Sequence, residues 1–335
     1  MMNKRLKQGT TFLLALALAF PLLTLPGARA ANAIETNRKC SVAFNVSGED
    51  NELTADGTDI IVNLYKVADV DVSGNYTATK DFTGLNVSSV SADDKDAAAS
   101  EWADRAKEAQ KMLKESVEPT ATVTLAAGTG SLADLATGLY LVDTPEVVTT
   151  NYTYTFTPYL VSLLTNNYYS NGNDDWIYDL TKEYNSAVGL KPEEHARYGD
   201  LKINKTLAHH NATTGKKATF VFKIEITPLK GKTETRIESL DFEAAGDSSV
   251  TITKIPAGAT VKVTEVYSGA SYKLISENDQ ETTIVATDKD AKGDPASVSF
   301  TNDVDDNMNG GYGVKNNFKL DENGQYQYTE PAEKN

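Results

Sequence analysis

Cysteine is nearly missing from this 335-residue chain. Cys40 stands alone, so no disulfide can form within the molecule. Histidine is almost as scarce. His195, His209 and His210 lie in polar contexts without the Cys or carboxylate spacing of a zinc site, so no metal is expected. Positive charge is in deficit, with 32 Lys and Arg against 47 Asp and Glu and a net charge of −15. An acidic surface of that size repels nucleic acid and anionic lipid, which removes both from the expected partners. No nucleophile elbow, phosphate loop or paired-carboxylate motif occurs, so neither an enzyme nor a cofactor is expected.

The one long apolar run, Thr11 to Leu25, is broken by Pro21. It follows the basic Lys4, Arg5 and Lys7 and precedes the small residues of Ala28-Arg29-Ala30. That order is the signature of a signal peptide over residues 1–30, too short to span a bilayer comfortably. Its removal takes away four cations (Lys4, Arg5, Lys7, Arg29) and no acid, lowering the net charge from −15 to −19. The expected mature protein is exported, acidic and without a membrane span. The length leaves room for about two domains.

What remains reads mostly as strand. Val42, Phe44 and Val46 alternate, and Ile60 to Ala68 is a nearly continuous apolar run of the kind a central strand carries. Residues 93–116 break the pattern. Trp102, Ala106, Ala109 and Leu113 recur at helical spacing, and Pro119 ends the helix. Strands return at Ala121–Leu125, Gly138–Asp143, Tyr152–Leu164 and Trp176–Leu180. The polar stretch 193–199 reads as a joint. Beyond it, strand signals recur every eight to twelve residues: Leu201–Leu207, Ala218–Thr227, Ser249–Ile252, Thr260–Tyr267, Tyr272–Ser276, Thr282–Ala286 and Ala296–Asn302. A polar tail with room for one short hairpin follows Asp303.

Within the second domain, three stretches resemble the Cna-B-like domains of Gram-positive surface proteins. They are Leu201-Lys202-Ile203-Asn204-Lys205-Thr206-Leu207, Ile255-Pro256-Ala257-Gly258-Ala259 leading into Val261-Lys262-Val263-Thr264-Glu265, and Val298-Ser299-Phe300-Thr301-Asn302. The first domain resembles the N-terminal domain of sortase-assembled pilin subunits. There the matches are Leu64-Tyr65-Lys66-Val67-Ala68, Gly138-Leu139-Tyr140-Leu141-Val142, Thr157-Pro158-Tyr159-Leu160-Val161-Ser162-Leu163, Trp176-Ile177-Tyr178-Asp179 and Val188-Gly189-Leu190-Lys191-Pro192.

The resemblance implies an all-β chain of two tandem immunoglobulin-like β-sandwich domains, the first with one inserted helix. The expected order is a signal peptide (1–30), a pilin-like domain (31–192), the joint (193–199), a Cna-B-like sandwich (200–304) and the tail (305–335). It further implies that Lys205 and Asn302 condense into an isopeptide bond with Glu265 assisting. Physical chemistry agrees. An amine enclosed by apolar side chains loses its preference for charge and becomes a nucleophile, and a carboxyl enclosed in the same way keeps a proton to shuttle. Lys202, three residues from Lys205, faces the other side of the strand and ranks second.

Lys191 is the candidate acceptor at which a sortase joins the next subunit, with Lys182 in reserve. Leu190-Lys191-Pro192-Glu193 departs from the family's Tyr-Pro-Lys-Asn pattern, and no isopeptide bond is expected in the first domain, where Lys66 reads as structural. The chain ends without a Leu-Pro-x-Thr-Gly signal, which implies a subunit that accepts a bond but does not donate its own C-terminus. The expected partners are other pilin subunits and a sortase, on a secreted or cell-surface protein. The competing reading is an adhesin for a host or glycan ligand, with Tyr168, Tyr169 and Trp176 as its binding aromatics. Two half-matches to a calcium loop, starting at Asp69 and Asp305, lack the Glu a twelfth position needs and read as turns.

Overall fold

The computed structural model describes residues 33–46, 52–55, 57–90, 95–114, 117–166, 176–181, 188–211, 217–269, 271–291, 293–305, 317–320 and 326–329. The expected signal peptide, Tyr168, Tyr169, Lys182 and most of the tail lie outside them. Twenty-three strands and one α-helix are found among the described residues, as the all-β expectation with one inserted helix requires. The chain divides into two compact units between Ala196 and Arg197.

The first unit carries β1 (Lys39–Asn45), β2 (Asp59–Val70), β3 (Tyr76–Ala78), helix α1 (Lys95–Met112), β4 (Ala121–Ala126), β5 (Thr129–Ala136) and β6 (Leu139–Asp143). It continues with β7 (Val147–Val148), β8 (Tyr152–Phe156), β9 (Tyr159–Ser162), β10 (Thr165–Asn166), β11 (Trp176–Ile177), β12 (Val188–Gly189) and β13 (Pro192–Ala196). Its main sheet runs β12-β1-β5-β4-β2-β6-β9, with β3 also paired to β2. The apolar run in β2 has a simple cause, since both faces of this strand are covered. Ile60, Val62 and Leu64 enter one core, while Tyr65, Val67 and Ala68 enter a second beneath α1. A register shift between Lys66 and Ala68 accompanies the turn of Ala68 into the second core beside Val67, while Val70 lies in the first.

Helix α1 presents Ala98, Trp102, Ala106 and Ala109 to the sheet, spacings of three and four that form one helical face. Arg105 is buried beside them. Its guanidinium lies 4.4 Å from the Trp102 ring and donates to Ser88 O and Glu101 Oε1, both at 2.5 Å.

Residues 193–199, read as a joint, are largely strand. Pro192–Ala196 pairs antiparallel with β8, and Tyr198 already belongs to the next unit's first strand. The segment Pro-Glu-Glu-His-Ala carries no apolar alternation because four of its five side chains face solvent. Its backbone pairing with β8 is supplemented by side-chain contacts of Glu194 with Tyr154 and of His195 with Thr155.

The second unit contains β14 (Tyr198–Leu207), β15 (Ala218–Thr227), β16 (Glu234–Phe242), β17 (Gly246–Pro256), β18 (Thr260–Tyr267), β19 (Tyr272–Leu274), β20 (Asp279–Thr283) and β21 (Ala296–Val304). They form two four-stranded sheets, β17-β14-β21-β19 and β16-β15-β18-β20, with one core between them. Period-two burial is clean: Leu201, Ile203, Lys205 and Leu207 point inward from β14, and Ala218, Phe220, Phe222, Ile224 and Ile226 from β15. Strand β16 shows no apolar run, because its Glu, Arg and Asp residues lie at a sheet edge. The strand expected at Thr282–Ala286 is β20, which starts three residues earlier. A last hairpin, β22 (Asn317–Leu320) with β23 (Tyr326–Thr329), stands where the tail left room for one.

Candidate functional site

The first and last strands of the second sandwich, β14 and β21, are neighbours running parallel. Lys205 lies opposite Phe300, and Leu207 opposite Asn302. Lys205 and Asn302 therefore point into the core from adjacent strands, offset by two residues, a gap that a lysine side chain can bridge. Glu265 points at them from β18 in the facing sheet. All three are buried polar residues in an otherwise apolar interior, and the side chains of Lys205 and Glu265 are 0% exposed.

The three form a closed ring of contacts. Lys205 Nζ donates to Asn302 Oδ1 and lies 2.9 Å from Glu265 Oε2. Asn302 Nδ2 donates to Glu265 Oε1 at 2.6 Å. Glu265 Oε2 is enclosed, and among the described residues it accepts no hydrogen bond of good geometry; the Lys205 amine is what it faces. The walls are aromatic. The Phe220 ring centroid lies 4.5 Å from Nζ, and Phe222 packs on Phe300 with centroids 5.1 Å apart. Burial pushes the Lys205 amine below the usual lysine range, opposed by its close contact and charge interaction with Glu265. The arrangement brings an amine nitrogen, a carboxamide carbon and a carboxyl group together in one enclosed site.

Two further hydrogen bonds hold the backbone of the triad. Asn302 O accepts from Ala208 N at 2.9 Å, and Asn278 Oδ1 accepts from Glu265 N at 2.9 Å. Sequence periodicity could find the triad, since Lys205 and Asn302 break an apolar alternation. It could not find Asn278, an exposed Asn in a turn-rich stretch with no pattern around it.

The other sequence candidates are dispersed. Lys202 is exposed on the opposite face of β14. Lys191 sits between β12 and β13, half-buried, and burial holds its amine below the usual range. Its carbonyl accepts from Thr157 N at 3.2 Å. Trp176 pairs in β11 with β10 and packs half-buried on the first core, so it is not the freely displayed aromatic that an adhesin surface would use. Lys66 pairs with Asp69 at 2.5 Å. The Asp71 carboxylate takes Ser73 N, Asn75 N and Asn75 Nδ2 between 2.8 and 2.9 Å, the hydrogen bonding of a hairpin turn. The half-match at Asp305 runs into residues outside those described. His195 faces Thr155, His209 faces Asp303, and His210 leans on the Tyr272 ring.

Against known proteins, residues 201–305 match the family described as Domain of unknown function (DUF5979). No curated protein matches the sequence. Among solved structures, the chain is similar to the Bacillus anthracis TIE protein (11% identity, 79% of this chain and 34% of that one, TM-score 0.29). This chain thus spans about a third of that protein's length. It is also similar to GBS52, the minor pilin of Streptococcus agalactiae (13% identity, 79% and 96%, TM-score 0.24), and to SpaA, the major pilin of Corynebacterium diphtheriae (10% identity, 79% and 100%, TM-score 0.22). Several of the similar solved structures are therefore pilins of Gram-positive bacteria.

Proposed function

We propose that this chain is an extracellular structural subunit of a bacterial surface fibre, a pilin or accessory pilin, whose second unit staples itself with a Lys205–Asn302 isopeptide bond. The observation that carries the reading is the closed Lys205–Glu265–Asn302 ring in a sealed apolar core. Leaving three polar side chains there would be costly without a purpose, because breaking any one contact strands a buried polar or charged group.

The chemistry balances without an oxidant or water. A proton passes from the Lys205 ammonium to the Glu265 carboxylate, giving an amine and an acid. Nζ attacks Asn302 Cγ and forms the new C–N bond. Glu265 takes a second proton from Nζ as it gives one to Nδ2, the Cγ–Nδ2 bond breaks, and ammonia leaves. Ammonium and carboxamide become amide and ammonia, and Glu265, which began as the carboxylate, ends as the acid that holds the proton taken from the ammonium. The reaction occurs once per chain, which makes it part of the maturation of a structural protein.

The role of the bond follows from what the chain lacks. Lys205 and Asn302 are 97 residues apart, so the link closes nearly the whole second unit. By the chain-entropy argument used for disulfides, such a loop is worth about 4–5 kcal/mol. A chain with one cysteine cannot obtain that stabilisation from an intramolecular disulfide. Lys191, half-buried beside β13 and with a lowered amine pKa, is the acceptor we assign to the sortase-made link with another subunit.

The test is made on the producing cells. Surface extracts boiled in detergent and probed for this chain should give bands far above the monomer mass. A monomer band alone would overturn the fibre reading.

A further inference from the structure

The segment from Ile275 to Gln280 crosses from one sheet of the second unit to the other beside the triad, and it contacts two of the three strands that supply the triad, β21 and β18. On the Asn302 side, Ile275 N donates to Thr301 O at 2.9 Å and Ser276 Oγ accepts from Thr301 N at 3.1 Å. Gln280 completes this side by donating from Nε2 to Ser299 O at 2.5 Å and accepting from Ser299 N at 3.0 Å through Oε1. On the Glu265 side, Asp279 accepts from Thr264 Oγ1 at 2.7 Å and pairs with Lys262 at 2.9 Å, and Asn278 Oδ1 accepts the backbone N–H of Glu265 itself at 2.9 Å.

That contact falls where the strand ladder stops. Pairing between β18 and β20 ends at Thr264 opposite Asp279. One residue later, the pairing of β18 with β15 slips: Phe222 lies opposite Glu265 and Val221 opposite Tyr267, leaving Val266 as the extra residue of a bulge. Glu265 is thus the last regularly placed residue of its strand, with a bulge on one side and the end of a partner strand on the other. An unheld N–H there would let the backbone rock and swing the carboxyl away from Nζ and Nδ2. A misplacement of about 1 Å at a reacting group slows a reaction by about 100-fold.

We propose that Asn278 is a positioning residue for the Lys205–Asn302 condensation, holding Glu265 in register with the strand that carries Asn302; the inference rests on the bond proposed above. Asn278 touches no reacting atom. Its side chain is exposed, so replacing it leaves the core intact and changes the timing of the reaction more than the final fold.

The experiment follows the intact mass of the full chain with time after cell-free synthesis. The wild type loses one ammonia. Asn278→Ala should slow that loss by about tenfold or more, while Asn278→Asp, which keeps the acceptor oxygen, restores a rate within about threefold of wild type. In an Asn302→Ala background, where no bond can form, adding Asn278→Ala should leave the melting temperature nearly unchanged. Wild-type timing in Asn278→Ala, or slowing that Asn278→Asp fails to repair, overturns the positioning role and leaves the bond standing. A wild-type chain that never loses ammonia overturns the bond itself, and the positioning role with it.

Discussion

Asn302 lies two residues beyond the position directly opposite Lys205 on the adjacent parallel strand, and the lysine side chain spans that offset to reach the Asn302 carboxamide. The sandwich topology produces this meeting. Placing the first and last strands side by side makes their inward residues neighbours across 97 residues of sequence. A crosslink at that point ties the two ends of the unit together, where pulling along a fibre would otherwise begin to peel strands apart.

Removing the amine should remove the staple. Lys205→Met keeps most of the volume and supplies no nucleophile. The melting temperature of the second unit should fall by about 20 °C or more, from the lost loop closure and the stranded Glu265 and Asn302. Calorimetry reads the change, and a shift of only a few degrees would contradict a covalent role.

Glu265→Gln separates chemistry from packing. The amide fills the same space but cannot pass protons between Nζ and Nδ2. The variant should fold and keep its strand content by circular dichroism, yet accumulate no crosslinked chain. Crosslinking at the wild-type rate would remove Glu265 from the reaction.

Lys191→Arg retains charge while removing the primary amine that a sortase-made link needs. High-mass bands in surface extracts should disappear if Lys191 is the acceptor, and the second unit's melting temperature should not move. Persisting bands would shift the role to another lysine.

At its start the second unit is held by a different device. Arg197 donates to Asp288 through Nε at 2.8 Å and Nη2 at 2.6 Å, and those hydrogen bonds hold the Asp288 carboxyl below the usual aspartate range. A depressed folded value means that the stabilisation is complete above the unfolded value of about 3.9 and is lost as pH falls through the folded one. Asp288→Asn should therefore lower the melting temperature near neutrality, with its curve meeting the wild type's in acid. A difference that stays constant into acid would assign the effect to packing.

Gly199 tests the close approach of two chain segments. A Cβ there would lie 1.8 Å from Val285 O and 2.9 Å from Ile284 Cγ2, which no side-chain adjustment relieves because the obstacle is backbone. Gly199→Ala should destabilise the second unit by more than about 2 kcal/mol in denaturant titration. A neutral result would mean that the two segments can part without loss.

The second unit was the more legible in sequence. Its inward residues alternate cleanly in β14, β15 and β18, and Lys205, Glu265 and Asn302 interrupt apolar positions where a polar side chain requires a reason. Among the strands that escaped, β13 and β16 are polar segments joined to their neighbours by backbone hydrogen bonds, which leave no imprint on side-chain pattern. The first unit's β2 was recognisable as central, but the placing of Ala68 beside Val67 in the second core goes with a register shift that no composition signals. Asn278 was invisible for a related reason. What it does depends on where β18 and β20 part company, a property of the folded sheet.

The most direct measurement is fragmentation mass spectrometry of the digested mature chain. The account predicts a branched peptide joining the segment around Lys205 to the segment around Asn302, lighter than the two linear peptides together by one ammonia, and absent from Lys205→Met and Glu265→Gln. Recovery of both segments only as separate, unmodified peptides from folded wild-type protein would contradict it.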